Sequence, residues 1–290
     1  MESKSNNNAI IINPQELDKK IEAMKKDGVS SLHIVSDFDR TLTKAFYHNK
    51  KAPSILSELR NGKYLTKEYA EKAHDLFNKY HPIEVSQTLN EDEKSKAMLS
   101  WWKEHYELLV KSGLDEKTMA RAIEDMIKTG SISLRAGADI FLKNLKREDI
   151  PLVIMSSSGI GNMVIDFLEM QNLMFSNIHF IGNTLEFDNK GRFIGIKDNK
   201  IIHVFNKHEI EIKNLPVYDK IKDRKNIILL GDGLGDLGML RGLNYNNLIK
   251  IGFFNYAEEE NLEDFKKNFD IIITEDGTFD YINELMKQII

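Results

Sequence analysis

The sequence predicts an α/β protein, a parallel sheet covered by helices on both faces, with an all-helical segment inserted after its first strand. Three observations carry this. From about residue 131 onward, short apolar runs alternate with amphipathic helical stretches. Residues from about Pro53 to Gly130 show helical periodicity and almost no strand signal. Two of the apolar runs end directly on clusters of acids, as strands do when they open into a crevice beyond the sheet.

In chain order, a first helix is expected from Pro14, well placed in a first turn, to about Lys26, where Asp27-Gly28 breaks it. Leu32–Ser36 reads as a short buried strand leading into Asp37-Phe38-Asp39-Arg40-Thr41-Leu42-Thr43. Within the helical segment, Tyr64–Tyr80, Glu91–Lys111 and Asp115–Thr129 space their apolar residues by three and four. Asn90 before three acids is a helix start. Then come a helix at Gly137–Lys146, a strand at Pro151–Met155, a helix at Gly161–Gln171 and a strand at Ile178–Ile181. Leu185–Gly195 is a hairpin turning at Asn189-Lys190-Gly191. A helical turn is expected at Tyr218–Lys222, a strand at Asn226–Leu230 and a short helix at Asp236–Leu243. The chain closes with strands at Ile249–Phe253 and Ile271–Thr274 and helices at Glu258–Asn268 and Thr278–Ile290. The expected organisation is a core of residues 1–50 and 131–290 and a helical domain of residues 51–130.

The chain has 290 residues, 41% hydrophobic and 29% charged, enough for a substantial core. A net charge of −5 offers no footprint for nucleic acid or an anionic membrane. The absence of cysteine excludes disulfides, thiolate zinc sites and a cysteine nucleophile. The apolar run Ala9–Ile12 is too short for a signal peptide, and no stretch approaches a membrane span. The expectation is a soluble, cytoplasmic monomer.

A lone Asp-x-Asp is common, and glycine-rich acidic stretches such as Gly231-Asp232-Gly233-Leu234-Gly235-Asp236 are usually plain turns. Two such sets at the ends of buried strands are another matter, because carboxylates gathered there without counter-charge are costly. A hard divalent cation with oxygen ligands resolves the cost, and magnesium is held by one or two carboxylates together with substrate phosphate.

Asp37–Thr43 and Gly231–Asp236 resemble the first and fourth motifs of the haloacid dehalogenase superfamily of phosphotransferases. Ser157, just after a strand, fits the second, and Lys207 the third. Tyr80-His81-Pro82-Ile83-Glu84-Val85, Ser157-Ser158-Gly159-Ile160-Gly161, Ile202-His203-Val204-Phe205-Asn206-Lys207-His208 and Asn226–Asp232 narrow the resemblance to the cytosolic 5'-nucleotidase III, or pyrimidine 5'-nucleotidase, family. The string around Lys207 discriminates best.

The resemblance implies a Rossmann-like core with an all-helical type-one cap. It implies Mg2+-dependent hydrolysis of nucleoside 5'-monophosphates, pyrimidine or 7-methylguanosine, with phosphotransfer to a nucleoside as a further mode. Asp37 would be the nucleophile and Asp39 the general acid and base. Metal would lie on Asp37, the Asp39 carbonyl and Asp232, with Asp236 behind them. Thr41, Ser157, the Ser158 amide and Lys207 would serve the phosphate. Glu84 and His105 would face the nucleoside, His105 standing where the family has serine. Trp101, Trp102, Tyr80, Tyr64 and Phe77 are candidates to stack on a base. A phosphatase for another small phosphomonoester, such as phosphoserine, is the alternative with the same chemistry. A non-catalytic binding module would need a missing catalytic group, and a sugar-nucleotide transferase would leave three of the four motifs unexplained.

Overall fold

The computed structural model describes residues 8–61, 64–197, 200–210, 212–257 and 261–290. Its chain runs β1 (Ala9–Ile11), α1 (Pro14–Asp27), β2 (Leu32–Ser36), β3 (Phe46–Tyr47), β4 (Lys50–Lys51), α2 (Ile55–Asn61), α3 (Lys67–Glu84), α4 (Glu91–Lys111) and α5 (Glu116–Thr129). It continues with α6 (Ala138–Arg147), β5 (Leu152–Met155), α7 (Gly161–Met170), β6 (Ile178–Ile181), β7 (Leu185–Phe187) and β8 (Phe193–Ile196). The last part holds α8 (Tyr218–Ile221), β9 (Asn226–Gly231), β10 (Asn247–Phe254), α9 (Leu262–Asn268), β11 (Ile271–Thr274) and α10 (Asp280–Ile289).

Seven strands form one sheet in the order β1-β11-β10-β9-β2-β5-β6, parallel except for β1 at the edge. Every residue of β2, β5 and β9 is buried, as strands covered on both faces must be. From β2 the chain builds outward through β5 and β6, then crosses back to β9 and builds the other way. The order therefore reverses between β2 and β9, and the crevice beyond their carboxyl ends is where such sheets bind ligands. Ser36 pairs with Leu230 on one side and Ile154 on the other, so the segments following β2, β9 and β5 emerge side by side.

Helices α2 to α5 form a block between β2 and β5. Side-chain caps on Thr66, Asn90 and Asp115 start α3, α4 and α5, and Asn90 with Glu93 completes a reciprocal capping box. Gly130 stops α5 in the left-handed conformation that favours glycine. The two chain crossings into the block are laced together: Thr43 bridges Leu134, Lys44 N–H donates to Ser133 O (2.9 Å) and Arg135 N–H to Leu42 O (2.9 Å). One apolar cluster continues from the sheet into the block, with Met119, Ile123 and Met126 of α5 in the same buried set as Val164 and Phe167 of α7.

Several boundaries differ from the sequence reading. The helix expected from Tyr64 starts at Lys67, behind its Thr66 cap, and runs through Pro82 to Glu84. The turn expected as a helix at Asp236–Leu243 is a 3-10 helix at Leu234–Leu240. The start expected at Glu258 lies outside the described residues, and α9 is described from Leu262. Ala9–Ile11 is an antiparallel edge strand and Phe46–Lys51 a small hairpin, neither of them anticipated. Among the described residues no helix is long and apolar enough to cross a membrane.

Candidate active site

The segment after β2 leaves extended geometry at once. The Phe38 carbonyl accepts from the amides of Thr41, Leu42 and Thr43 (3.3, 3.0 and 3.2 Å), while the Phe38 ring is buried edge-on against Phe167. Arg40 takes a left-handed φ of 61°. The tight turn takes the chain out of extended geometry between Asp37 and Asp39, which a continuing strand would set in a row along one face, and keeps Asp39 within electrostatic reach of Asp37 and Lys207.

Asp37 is buried. Lys207 Nζ donates to its Oδ1, and the Thr41 hydroxyl faces its Oδ2 at 3.4 Å. Lys207, 170 residues along the chain, also donates to Asp236 Oδ1 at 2.7 Å. The other Asp236 oxygen accepts from the amides of Asp232 (2.9 Å) and Gly233 (3.0 Å), which folds the loop after β9 around it. Gly231 is required there, because a Cβ would sit 2.5 Å from that of Asp236. One carboxylate oxygen each from Asp37, Asp232 and Asp236 lie within 4.8 Å of one another.

One ammonium group does not balance this charge. Burial pushes the Asp37 carboxyl up to about 7, with Lys207 pulling against the rise and Asp236 adding to it. Burial, then the Asp37 and Asp236 charges, drive Asp232 well above its ordinary value. Burial raises Asp39 too, opposed by Arg40 and Lys207. Burial disfavours the Lys207 charge, yet Asp236 and Asp37 outweigh it and hold the ammonium above its usual value. The site is short of positive charge, and its donors are all oxygens. That fits a hard divalent cation shared by Asp37 and Asp232, with Asp236 already committed to Lys207 and two amides.

The remaining residues named from sequence fall into two groups. Ser157 is half-buried after β5, on the neighbouring strand end. Glu84 is half-buried at the end of α3, its carboxyl raised by burial and drawn back by His81, Arg40 and Lys94. Three others have protein partners. Thr41, expected on the phosphate, is fully buried and faces Asp37. The Ser158 amide, also expected on the phosphate, donates to Ser156 Oγ at 3.0 Å. His105, expected at the nucleoside, is buried inside the helical block against Tyr69 Oη at 3.0 Å, which fixes its ring in the packing of α3 on α4. Of the expected stacking rings, Tyr80 and Trp101 are buried against each other at 5.9 Å.

Known proteins resemble this chain over nearly its whole length. Residues 40–290 match the family model described as pyrimidine 5'-nucleotidase (UMPH-1). The chain is 32% identical over 275 residues to a 7-methylguanosine phosphate-specific 5'-nucleotidase B of Xenopus laevis, covering 94% of this chain and 93% of that protein. The corresponding Homo sapiens protein is 31% identical over 278 residues, 96% of this chain and 91% of that one.

This chain belongs to the pyrimidine 5'-nucleotidase family.

Its fold matches the crystal structure of cytosolic 5'-nucleotidase IIIB bound to cytidine with a TM-score of 0.87 at 27% identity, covering 98% of this chain and 94% of that one. The core is accordingly of the haloacid dehalogenase type, and the protein is a 5'-nucleotidase, a phosphoric monoester hydrolase.

For this nucleotidase, sequence reasoning missed Arg135. Its guanidinium is buried and donates to the carbonyls of Thr41 (3.0 Å), Arg40 (2.6 Å) and Gly277 (2.9 Å) and to Asn255 Oδ1 (2.6 Å), with Asp276 paired at 3.0 Å. It clamps the turn that presents Asp37 and Asp39. Asn183 was missed as well; its amide ties Ser158 O (3.0 Å) to Ile202 O (2.8 Å), linking the loop of Ser157 to the approach of Lys207. A single Arg or Asn in a linker has no spacing pattern to read.

Proposed function

We propose that this protein hydrolyses pyrimidine or 7-methylguanosine nucleoside 5'-monophosphates through an aspartyl-phosphate on Asp37, with magnesium. The observation that carries the reading is the Asp37 carboxylate held by Lys207 beside Asp232, at the ends of two adjacent strands. The names of the relatives and the cytidine in the matched structure support the substrate class.

Asp37 attacks phosphorus, and the bond from phosphorus to O5' breaks as Asp39 gives its proton to the departing oxygen. Burial favours the protonated Asp39 this step needs. Water then attacks phosphorus, Asp39 takes its proton, and the bond to Asp37 breaks, restoring the carboxylate and releasing phosphate. Lys207 holds one Asp37 oxygen and offsets the repulsion between a carboxylate and an anionic phosphate. Thr41 orients the other oxygen, and the Ser157 hydroxyl donates to the phosphoryl group. Asp37, the Asp39 carbonyl and Asp232 would hold magnesium, which supplies further neutralisation of phosphate charge.

Residues 51–130 act as the cap that selects the substrate. Glu84 carries a half-buried carboxylate at a helix C-terminus, a place that both burial and the helix dipole disfavour. An exocyclic amine of cytosine or methylated guanine would supply its missing donor. All these groups come from one chain, so the chemistry asks for no second copy, which supports a monomer; a relative named putative cytosolic 5'-nucleotidase 3 supports a cytoplasmic place. Passage of the phosphoryl group to a nucleoside is open to the same intermediate.

The test is phosphate release across the nucleoside monophosphates and phosphoserine, with magnesium and then with EDTA. The expected result is turnover of CMP, UMP or 7-methyl-GMP far above phosphoserine, abolished by EDTA. Preference for phosphoserine, or activity indifferent to EDTA, would overturn the reading. Excess nucleoside yielding new nucleotide would establish the transfer mode.

A further inference from the structure

Helix α4 reaches both loops that flank Asp37. At its C-terminal half, the Tyr106 hydroxyl donates to the Gly159 carbonyl at 2.9 Å, in a buried contact. Beside it, the Trp102 ring occupies the space a side chain at residue 159 would need. A Cβ there would lie 2.0 Å from Trp102 Cζ3 and 2.3 Å from Cη2. Gly159 is not among the residues with a left-handed φ, so its backbone does not demand glycine. The nearest atoms barring a larger residue all belong to Trp102. Nearer its start, α4 meets the loop of Lys207: Ser95 Oγ lies 3.4 Å from His203 Nε2, Lys94 Nζ sits 5.4 Å from the centre of the Phe205 ring, and Glu91 Oε1 is 3.9 Å from His208 Nδ1.

Trp102 cannot easily move aside. It is stacked between Trp101 (6.2 Å, 12°) and Tyr106 (5.8 Å, 23°), and Trp101 is stacked in turn on Tyr80 (5.9 Å, 12°). This column runs from α3 to the Ser157 loop. A shift of the ring at one end is therefore resisted by packing at the other.

We propose that Trp102 and Tyr106 are positioning residues that hold the Ser157–Gly159 loop in its phosphate-binding shape, so that the loop is complete only while the helical block is seated on it. The proposal rests on the reading of that loop as the phosphate site. Its content is that the helices choosing the substrate also finish the part of the core that grips phosphate.

The test is a double-substitution cycle with Gly159→Ala, Trp102→Leu and both together, in the full chain with magnesium. Each is assayed on CMP and on p-nitrophenyl phosphate, and each is titrated with beryllofluoride by calorimetry. Gly159→Ala should cut kcat/KM for both substrates by about 10²-fold, since displacing a positioned group by an ångström costs about that much. Adding Trp102→Leu should recover at least about tenfold, a coupling typical of residues in contact. Beryllofluoride affinity should follow the same pattern. Tyr106→Phe removes only the hydrogen bond to Gly159 and should lower kcat on both substrates about fivefold, close to the worth of one neutral hydrogen bond.

Wild-type kinetics in Gly159→Ala, or a double variant no faster than Gly159→Ala, would overturn the proposal. If Gly159→Ala does not fold, unchanged kinetics in Tyr106→Phe would overturn it and the fivefold loss would support it. Failure of the substrate reading looks different: CMP would not be turned over by the wild-type chain, while p-nitrophenyl phosphate and beryllofluoride would still report the coupling.

Discussion

The strand-end cluster and the helical block both bury polar groups, but they treat them differently. At the strand ends partners are shared out: Lys207 with two carboxylates, Asp236 with Lys207 and two amides, and Arg135 with four acceptors besides the Asp276 carboxylate. In the block, Trp101 Nε1 and His105 Nδ1 are buried with no hydrogen-bond partner. The first arrangement fixes its atoms before substrate arrives, which is how electrostatic catalysis works. The second leaves buried polar atoms unpaired among rings that packing holds in place. Chemistry should therefore be sensitive to single atoms in the core, and selectivity to shape and charge in the block.

The largest effect expected from that contrast is in the core. Asp37→Asn keeps the volume and the fold but removes the nucleophile, and should lower kcat by about 10⁴-fold or more. A variant within tenfold of wild type would break the comparison at its strongest point. Lys207→Met should lower kcat by about 10²–10³-fold, the scale of one lost charge-stabilising donor. The same variant should gain more thermal stability from magnesium than the wild-type chain, because Asp37 and Asp236 lose the ammonium they share; differential scanning fluorimetry with and without the metal reads this.

Two buried histidines, His33 in β2 and His105 in α4, are held neutral, since burial lowers both to about 4. Their folded values lie below the unfolded one near 6.5. The stability this lends is fully present above about 6.5 and is lost as the pH falls toward 4, by up to about 3 kcal/mol per residue. His105→Gln should remove its share of that acid sensitivity, read as a smaller drop in urea midpoint between pH 7 and pH 4.5. An equal drop would show that the ring in the block is not held neutral. The smallest effect belongs to selectivity. Glu84→Gln should raise KM for CMP about tenfold with kcat nearly unchanged, the loss of about one charged hydrogen bond. An equal loss in kcat would place Glu84 in the chemistry and blur the distinction between the regions.

The same contrast explains what could be read from sequence. Asp37, Asp39, Asp232 and Asp236 are legible because buried apolar strands end on them, and a strand end can point only into the crevice. Lys207 is legible only through the string around it, since its partner in space lies 170 residues away. The edge strand Ala9–Ile11 is three residues long and owes its form to pairing with β11, a contact with no local trace. Thr41, the Ser158 amide and His105 were assigned to ligands by resemblance. Their protein partners, Asp37, Ser156 and Tyr69, depend on turn and helix packing that spacing does not encode. Arg135 and the seat of Trp102 on Gly159 likewise appear only once the chain is folded.

Phosphate is carried, on this account, by Asp37, the residue that follows the first parallel strand. Enzyme quenched in acid during turnover of CMP, reduced with borohydride and digested for mass spectrometry should show homoserine at position 37 and at no other aspartate. Intact Asp37 in samples taken while phosphate is being released, or reduction at Asp232 instead, would contradict it.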